Sequence, residues 1–524
     1  MPRTRRLLRD REITYSAAKE QELNILHQLG YYEQQTKFFS HIHDRQNWIR
    51  AVVAHHLGLK SASACRVAEE ENWLYGSFNV CVPVSIDDWD GKRVLIRFPL
   101  PYRVGEAVRP GNGDEKIRCE AGTYAWLQEN CPDVPIPSLY GFALSTGETF
   151  TRLENLSILT RYFQLLRRQA LSWLGYPVPS NYVRNQTANN ISSDRVVSAG
   201  YLLVECIEET QGTMLSNTWV DGQHDVKLRT NFFTSLARIF LNVSRIPLPR
   251  IGSFVIDNDG FLHLANRPLS IEIHQLENEG IPTGIPQDYT YTTVDSYIVD
   301  MLSLHDSRFQ NQPNAINDLG DCGCQLAALS AMRTIFTSFF QRDFRRGPFS
   351  FVLTDLHQSN IFVDAEWNIT CLIDLEWGCS RPIEMVSPPF WLTNKGVDQL
   401  VSAEYNAIRK EFMEILAVEE RQLGQTTSGL TNNREEPLPR LSDVMNRTWD
   451  TGTFWYTLAL SSPSGLFTIF NKHIRPLFCK IDYAEEFNMI MTFFWGKNIG
   501  EIARCKLSDK KQYDEDLRHA FEES

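Results

Sequence analysis

Phe351-Val-Leu-Thr-Asp355-Leu-His357-Gln-Ser-Asn360-Ile-Phe-Val-Asp364-Ala-Glu-Trp-Asn-Ile-Thr-Cys-Leu-Ile373-Asp374-Leu-Glu376-Trp377 is the most informative stretch of the chain. Asp355 lies just past an apolar, strand-like run, and Asn360 follows five residues later. Two further strands, 361–363 and 369–373, flank the turn Asp364-Ala-Glu-Trp-Asn368. A hairpin brings its two ends together, so Asp374 at the exit of the second strand returns close to Asn360 at the entrance of the first. Three oxygen-bearing side chains thus converge at one edge.

Phosphoryl transfer needs this kind of convergence. One carboxylate accepts or orients the attacking hydroxyl, while an amide and a second carboxylate are hard oxygen donors of the type Mg²⁺ prefers. The segment resembles the catalytic core of the aminoglycoside phosphotransferase/choline kinase-like family, and in particular its fungal members. That family's signature runs His-Gly-Asp-Leu-His-x-x-Asn, then a hairpin, then Ile-Asp-Trp-Glu. The chain carries Asp-Leu-His-x-x-Asn at 355–360 and Ile-Asp-x-Glu at 373–376. The resemblance implies that Asp355 is the catalytic base, that Asn360 and Asp374 are Mg²⁺ ligands, and that Glu376 is a secondary metal ligand or a structural residue. It implies a loop-supporting role for His357. The chain departs from the pattern just before the Asp, where Leu353-Thr354 replaces His-Gly.

A kinase-like fold also needs a turn over the phosphates, a cation facing them, and a helix carboxylate that holds the cation. Gly76-Ser77-Phe-Asn79 precedes a strand, where backbone amides freed by Gly and Ser are candidates to meet phosphate. In Val94-Leu-Ile-Arg97-Phe-Pro99 the position where the family usually has Lys is Arg97, and Glu120 on the following helix is its natural partner. The strand Leu202-Leu-Val-Glu205-Cys-Ile207 stands where the family joins its two lobes, so the resemblance puts adenine against the backbone of Glu205–Ile207. Ile251–Gly260, followed by Asn266-Arg-Pro-Leu269, resembles a short hairpin of the fungal members and bears on membership alone.

Working outward, residues 16–60 show apolar residues at helical spacing, ending at Gly58. Residues 78–86 and 93–98 read as a hairpin around the turn Asp87–Gly91, residues 115–130 as a helix, and 140–144 as a strand. The polar run Asn185-Gln-Thr-Ala-Asn-Asn reads as a surface insertion, and 423–438 as a loop. A strand-rich part followed by helices predicts an α+β chain with segregated strands and helices, not a βαβ parallel sheet. The resemblance sharpens this to a bilobal protein-kinase-like fold. Its parts would be a helical extension at 1–60 with a basic arm, a small β-rich N-lobe at 61–207 with an insertion near 145–198, and a larger helical C-lobe at 208–524.

The 524 residues exceed what one hydrophobic core usually organises. With 43% hydrophobic and 22% charged residues the composition is globular. The net charge of −12 argues against nucleic acid as a partner, and no apolar run is long enough for a membrane span. Five arginines in MPRTRRLLRDR read as a solvated, flexible arm. Eleven cysteines without a CxxC pair fit reduced thiols, hence a cytoplasmic location, with a mitochondrial one as the minor alternative. The oligomeric state is left open.

Two functions follow. The first is an ATP- and Mg²⁺-dependent phosphotransferase acting on a hydroxyl of a small molecule; an acidic acceptor cleft would suit cationic acceptors. A small-molecule acceptor is expected because Leu375-Glu-Trp, not Phe-Gly, follows Asp374. The second is a nucleotide-binding pseudokinase serving as an interaction module, suggested by Leu353-Thr354 and Arg97.

Overall fold

The computed structural model describes residues 4–9, 11–87, 89, 92–185, 199–427, 438–463, 465–480 and 483–522, with backbone alone over 425–427. The polar run after Asn185 lies outside the described residues, as does part of the Asp87–Gly91 turn.

The chain combines a sheet-bearing part with a larger helical part. The eight-stranded sheet runs in the order Cys65–Val67, Asn79–Ile86, Arg93–Pro99, Tyr201–Glu205, Leu139–Ala143, Thr149–Arg152 and Tyr182–Asn185, with Leu74–Tyr75 paired to Asn79–Ile86 off this path. Every pairing in it is antiparallel. Thr149–Arg152 and Tyr182–Asn185 fall within the expected insertion, yet they continue the sheet.

Strand periodicity decides which residues face the site. Along Arg93–Pro99, Val94, Ile96 and Phe98 are fully buried against the N-terminal helices Tyr31–His43 and Gln46–Leu57. Arg93, Leu95 and Arg97 therefore point to the opposite face, where they line a large cleft. Tyr201 and Leu203 likewise join the first core, while Leu202 and Val204 join the core around the helix Asn112–Asn130. This central helix packs on the sheet and on the hairpin Ser253–Ile256/Leu262–Asn266 expected from 251–269.

The strand Phe349–Leu353 pairs with Gly378–Pro382, and Ile361–Val363 pairs with Ile369–Leu372. Helices dominate the remainder. The expected loop at 423–438 is corrected at its start: Ser402–Thr427 is one continuous helix. Glu419 and Glu420 tether its late turns, bonding Arg238 Nε at 2.7 Å and the Leu441 amide at 2.6 Å.

The basic arm is also corrected, because it docks. Thr4–Arg6 pairs with Glu12–Thr14, Leu7 is buried, and Arg5 Nε donates to the Ala520 carbonyl at 2.5 Å. The terminal helix Ile499–Glu522 packs on Tyr15–Lys19 and Ile25–Leu29, with the Ile25 amide donating to Tyr513 Oη at 3.0 Å. Side chains of Ala18, Ile25, Leu517 and Phe521 form the small core that ties the two ends together.

Candidate active site

The hairpin geometry follows from its register. Ile361 faces Leu372, and the Ile373 amide donates to the Asn360 carbonyl at 2.9 Å, so Asp374 emerges beside Asn360. Asp374 then takes a left-handed backbone conformation, φ 62° and ψ 58°, which is uncommon for a non-glycine residue and turns the chain sharply into Leu375–Trp377. Asn360 Nδ2 donates to the Asp355 carbonyl at 2.9 Å and lies 3.5 Å from Asp355 Oδ2. At the departure from the family pattern, Thr354 Oγ1 donates to the Trp377 carbonyl at 2.8 Å. This fastens the loop to the strand that follows the hairpin. His357 accepts from the Ser359 amide at 3.4 Å, and its ring packs near Trp391, a supporting position.

On the sheet side, Arg97 Nη1 donates to Glu120 at 2.6 Å and Nη2 donates to Glu376 at 2.7 Å and to Asp374. The expected Arg97–Glu120 pair is thus present, and the same guanidinium bridges to the hairpin. Lys116 was not anticipated. Fully buried, it donates to Asn79 Oδ1 at 2.6 Å and to Glu376, while Asn79 Nδ2 donates to Glu376 at 2.7 Å. The signal for it was spacing: Lys116 stands four residues before Glu120, hence on the same helix face. Glu376 Oε2 accepts from three donors, which sets it inside this ion cluster.

Two cations and three carboxylates share this space, and burial sets their titration. Burial pushes the Glu120 carboxyl up to about 7 against the pull of Arg97 and Lys116. Burial also acts against the Asp374 carboxylate, but the Arg97 and Lys116 charges prevail and hold it below its usual range. Burial raises the Asp355 carboxyl to about 7, and the negative charges of Asp374 and Glu376 add to the rise.

A cleft of about 1180 Å³ collects these groups. Gly76, Ser77, Asn79, Arg97, Glu205, Ile207, Asp355, Asn360, Asp374 and Glu376 all line it; Glu120 lies behind Arg97. Leu95, Val204, Met214 and Phe362 supply apolar walls at the Glu205–Ile207 end. There the Glu205 and Cys206 amides already donate to the Ser138 and Arg93 carbonyls. Among the described residues, Ile207 has the free amide of this stretch.

The turn at Gly76 differs from expectation. It is the tip of a hairpin between Leu74–Tyr75 and Asn79–Ile86, and its amide is engaged with the Asn79 carbonyl at 2.9 Å. A Cβ at Gly76 would meet nothing within 4 Å, so no close backbone approach demands glycine there.

Asp355 lines a second cavity, of about 350 Å³, on the helical side. The walls are mainly apolar, and the charged lining residues are Glu272, Asp355 and Arg381.

The donor chemistry around Asn360 fits a magnesium ion: an amide oxygen and the Asp374 carboxylate are hard ligands, and Mg²⁺ keeps much of its shell as water and phosphate oxygen. Among the described residues, no group of three His, Cys, Asp or Glu side chains forms a closed metal cage. No helix among them is long and apolar enough to cross a membrane.

Compared with known proteins, the chain matches no family model and no curated protein. Among solved structures it is similar to one described as "Macrolide 2'-phosphotransferase type I", with 11% identity, coverage of 82% of this chain and 90% of that one, and a TM-score of 0.32.

Proposed function

We propose that the chain is a phosphotransferase with a bilobal, protein-kinase-like organisation, which moves the γ-phosphoryl group of ATP to a hydroxyl of a small molecule with Mg²⁺. The observation that carries this reading is the convergence of Asp355, Asn360 and Asp374 on one wall of a cleft whose facing wall presents Arg97, backed by Glu120. Asp355, with its carboxyl near 7, suits a group that orients the acceptor hydroxyl and takes its proton as the ester bond forms and ADP leaves. Asn360 and Asp374 would hold the metal, and bound Mg²⁺ would neutralise phosphate charge. Arg97 would reach phosphate oxygens, with Lys116 behind it and Glu120 keeping the guanidinium in place. The Ile207 amide and the apolar end of the cleft suit a purine base.

A second reading, a nucleotide-binding pseudokinase acting as an interaction module, draws on a specific observation. Arg97 already bridges Asp374 and Glu376, and the Gly76 amide is engaged within its own turn.

The discriminating measurement is thermal stabilisation by ATP with and without Mg²⁺, followed by ATP turnover in wild type and Asp355→Asn. The phosphotransferase reading expects Mg²⁺-dependent stabilisation in both proteins and a turnover loss of about 10²–10⁴-fold in the variant. Equal turnover in the two favours the pseudokinase, and no ATP stabilisation removes both readings.

A further inference from the structure

The cavity on the far side of Asp355 has walls that speak to the acceptor. Phe240, Met385, Phe390, Trp391 and Phe454 give it an aromatic and aliphatic surface. Its volume of about 350 Å³ is at the small end for a small-molecule site. Into this apolar space faces Arg381, from the strand Gly378–Pro382 that pairs with Phe349–Leu353.

Arg381 is 8% exposed, and its polar demand is unmet. Among the described residues its one hydrogen bond to an oxygen is a long one, from Nη1 to Ser461 Oγ at 3.4 Å; the Cys379 thiol is a further, weakly polar neighbour, and its Nε has no partner. Thr457 Oγ1, on the same wall, is buried and unpartnered as well. Glu272 lines the cavity too, but it is only half-buried and forms no ion pair with Arg381 among the described residues. The Glu272 charge reaches Arg381 without contact, and a buried guanidinium with no direct carboxylate partner is unfavourable. The contrast with Arg267, elsewhere in the molecule, is direct: that fully buried side chain has carboxylate partners on Nε and on both terminal nitrogens.

We infer that the acceptor is a mainly apolar hydroxy acid, whose body fills this cavity, whose carboxylate meets Arg381 and Thr457, and whose hydroxyl reaches Asp355. This rests on the phosphotransferase reading for the role of Asp355. The reaction joins the acceptor oxygen to the γ-phosphorus, breaks the bond from that phosphorus to the β–γ bridging oxygen, and passes the hydroxyl proton to Asp355.

The test is calorimetric binding of 10-hydroxydecanoate, decane-1,10-diol and 10-aminodecan-1-ol to the full chain without nucleotide, so that ATP stabilisation stays an independent readout. The expected order is acid, then diol, then amine, with the acid about tenfold tighter than the diol, as a charge-assisted hydrogen bond provides. Arg381→Met is expected to bring the acid down to the level of the diol while the diol is held unchanged. Equal binding of acid and diol, preference for the amine, or no binding of any of the three overturns the inference. The wild-type ranking decides even if the variant fails to fold. Loss of ATP stabilisation with the acid preference intact would instead remove the phosphotransferase reading and leave an acid-binding cavity.

Discussion

Two buried ion networks share one helix, Asn112–Asn130, and they are built differently. In the first, Arg267 donates through Nε and Nη2 to Glu115, through Nη1 and Nη2 to Glu277, and through Nη1 to the Ile285 carbonyl. Arg109, Asn112, Thr283 and Gln287 complete the two carboxylates. In the second, built around Arg97 and Lys116, the carboxylates outnumber the cations, and two buried atoms, Arg97 Nε and Glu120 Oε2, have no partner. The Arg267 network is closed to the cleft, whereas the Arg97 network opens onto it. A buried charge cluster whose demands are met holds elements together; one left short beside a cavity is suited to a ligand.

The largest effect expected from this difference is on stability. Arg267→Leu leaves Glu115 and Glu277 without their shared cation, and is expected to lose about 3–5 kcal/mol in chemical denaturation. A loss below 1 kcal/mol would mean that the closed network is not the structural anchor described above.

A pH experiment probes the open side. The Asp355 carboxyl is raised in the folded chain from 3.8 to about 7 by burial and by Asp374 and Glu376. The folded state therefore keeps a proton that the unfolded chain releases. The stability this contributes is full below about pH 4, falls as pH rises, and is gone above 7. Asp355→Asn, which cannot ionise, is expected to gain stability over wild type between pH 4 and pH 8 in parallel denaturation curves. A constant difference across that range would mean that the carboxyl titrates normally and the site is less closed than its lining suggests.

The smallest effect is expected at the turn. Gly76→Ala introduces a methyl group into open space, and a change within about 0.5 kcal/mol is expected, with ATP stabilisation unaltered. A large loss of nucleotide binding there would assign the phosphates to the Gly76 turn and weaken the weight placed on Arg97.

Local pattern carried much of the fold. The apolar run at 93–98 predicted a strand, and the spacing of Asn360 and Asp374 predicted that one hairpin would return the second to the first. Helical spacing predicted the helix at 115–130, and the resemblance implied the pairing of Glu120 with Arg97 that the structure contains. Lys116 lies four residues before Glu120 on that helix, away from the strand where the family's lysine stands. The N-terminal arm differs from its expected solvated state because its five arginines look solvated in isolation, whereas its partner, the terminal helix, lies some 500 residues away in the chain.

The sequence by itself determined the segregation of strands from helices and the approach of Asp374 to Asn360, because both follow from short-range periodicity and from a hairpin that closes within a few residues; the other residues of the cleft were implied by the family resemblance. Tertiary structure alone decided that Arg267 is satisfied while Arg381 is not, that Lys116 is buried under Glu376, and that the cavity beside Asp355 is apolar despite a net charge of −12. Those properties depend on which side chains far apart in the chain are brought within hydrogen-bonding distance, and composition does not carry that information.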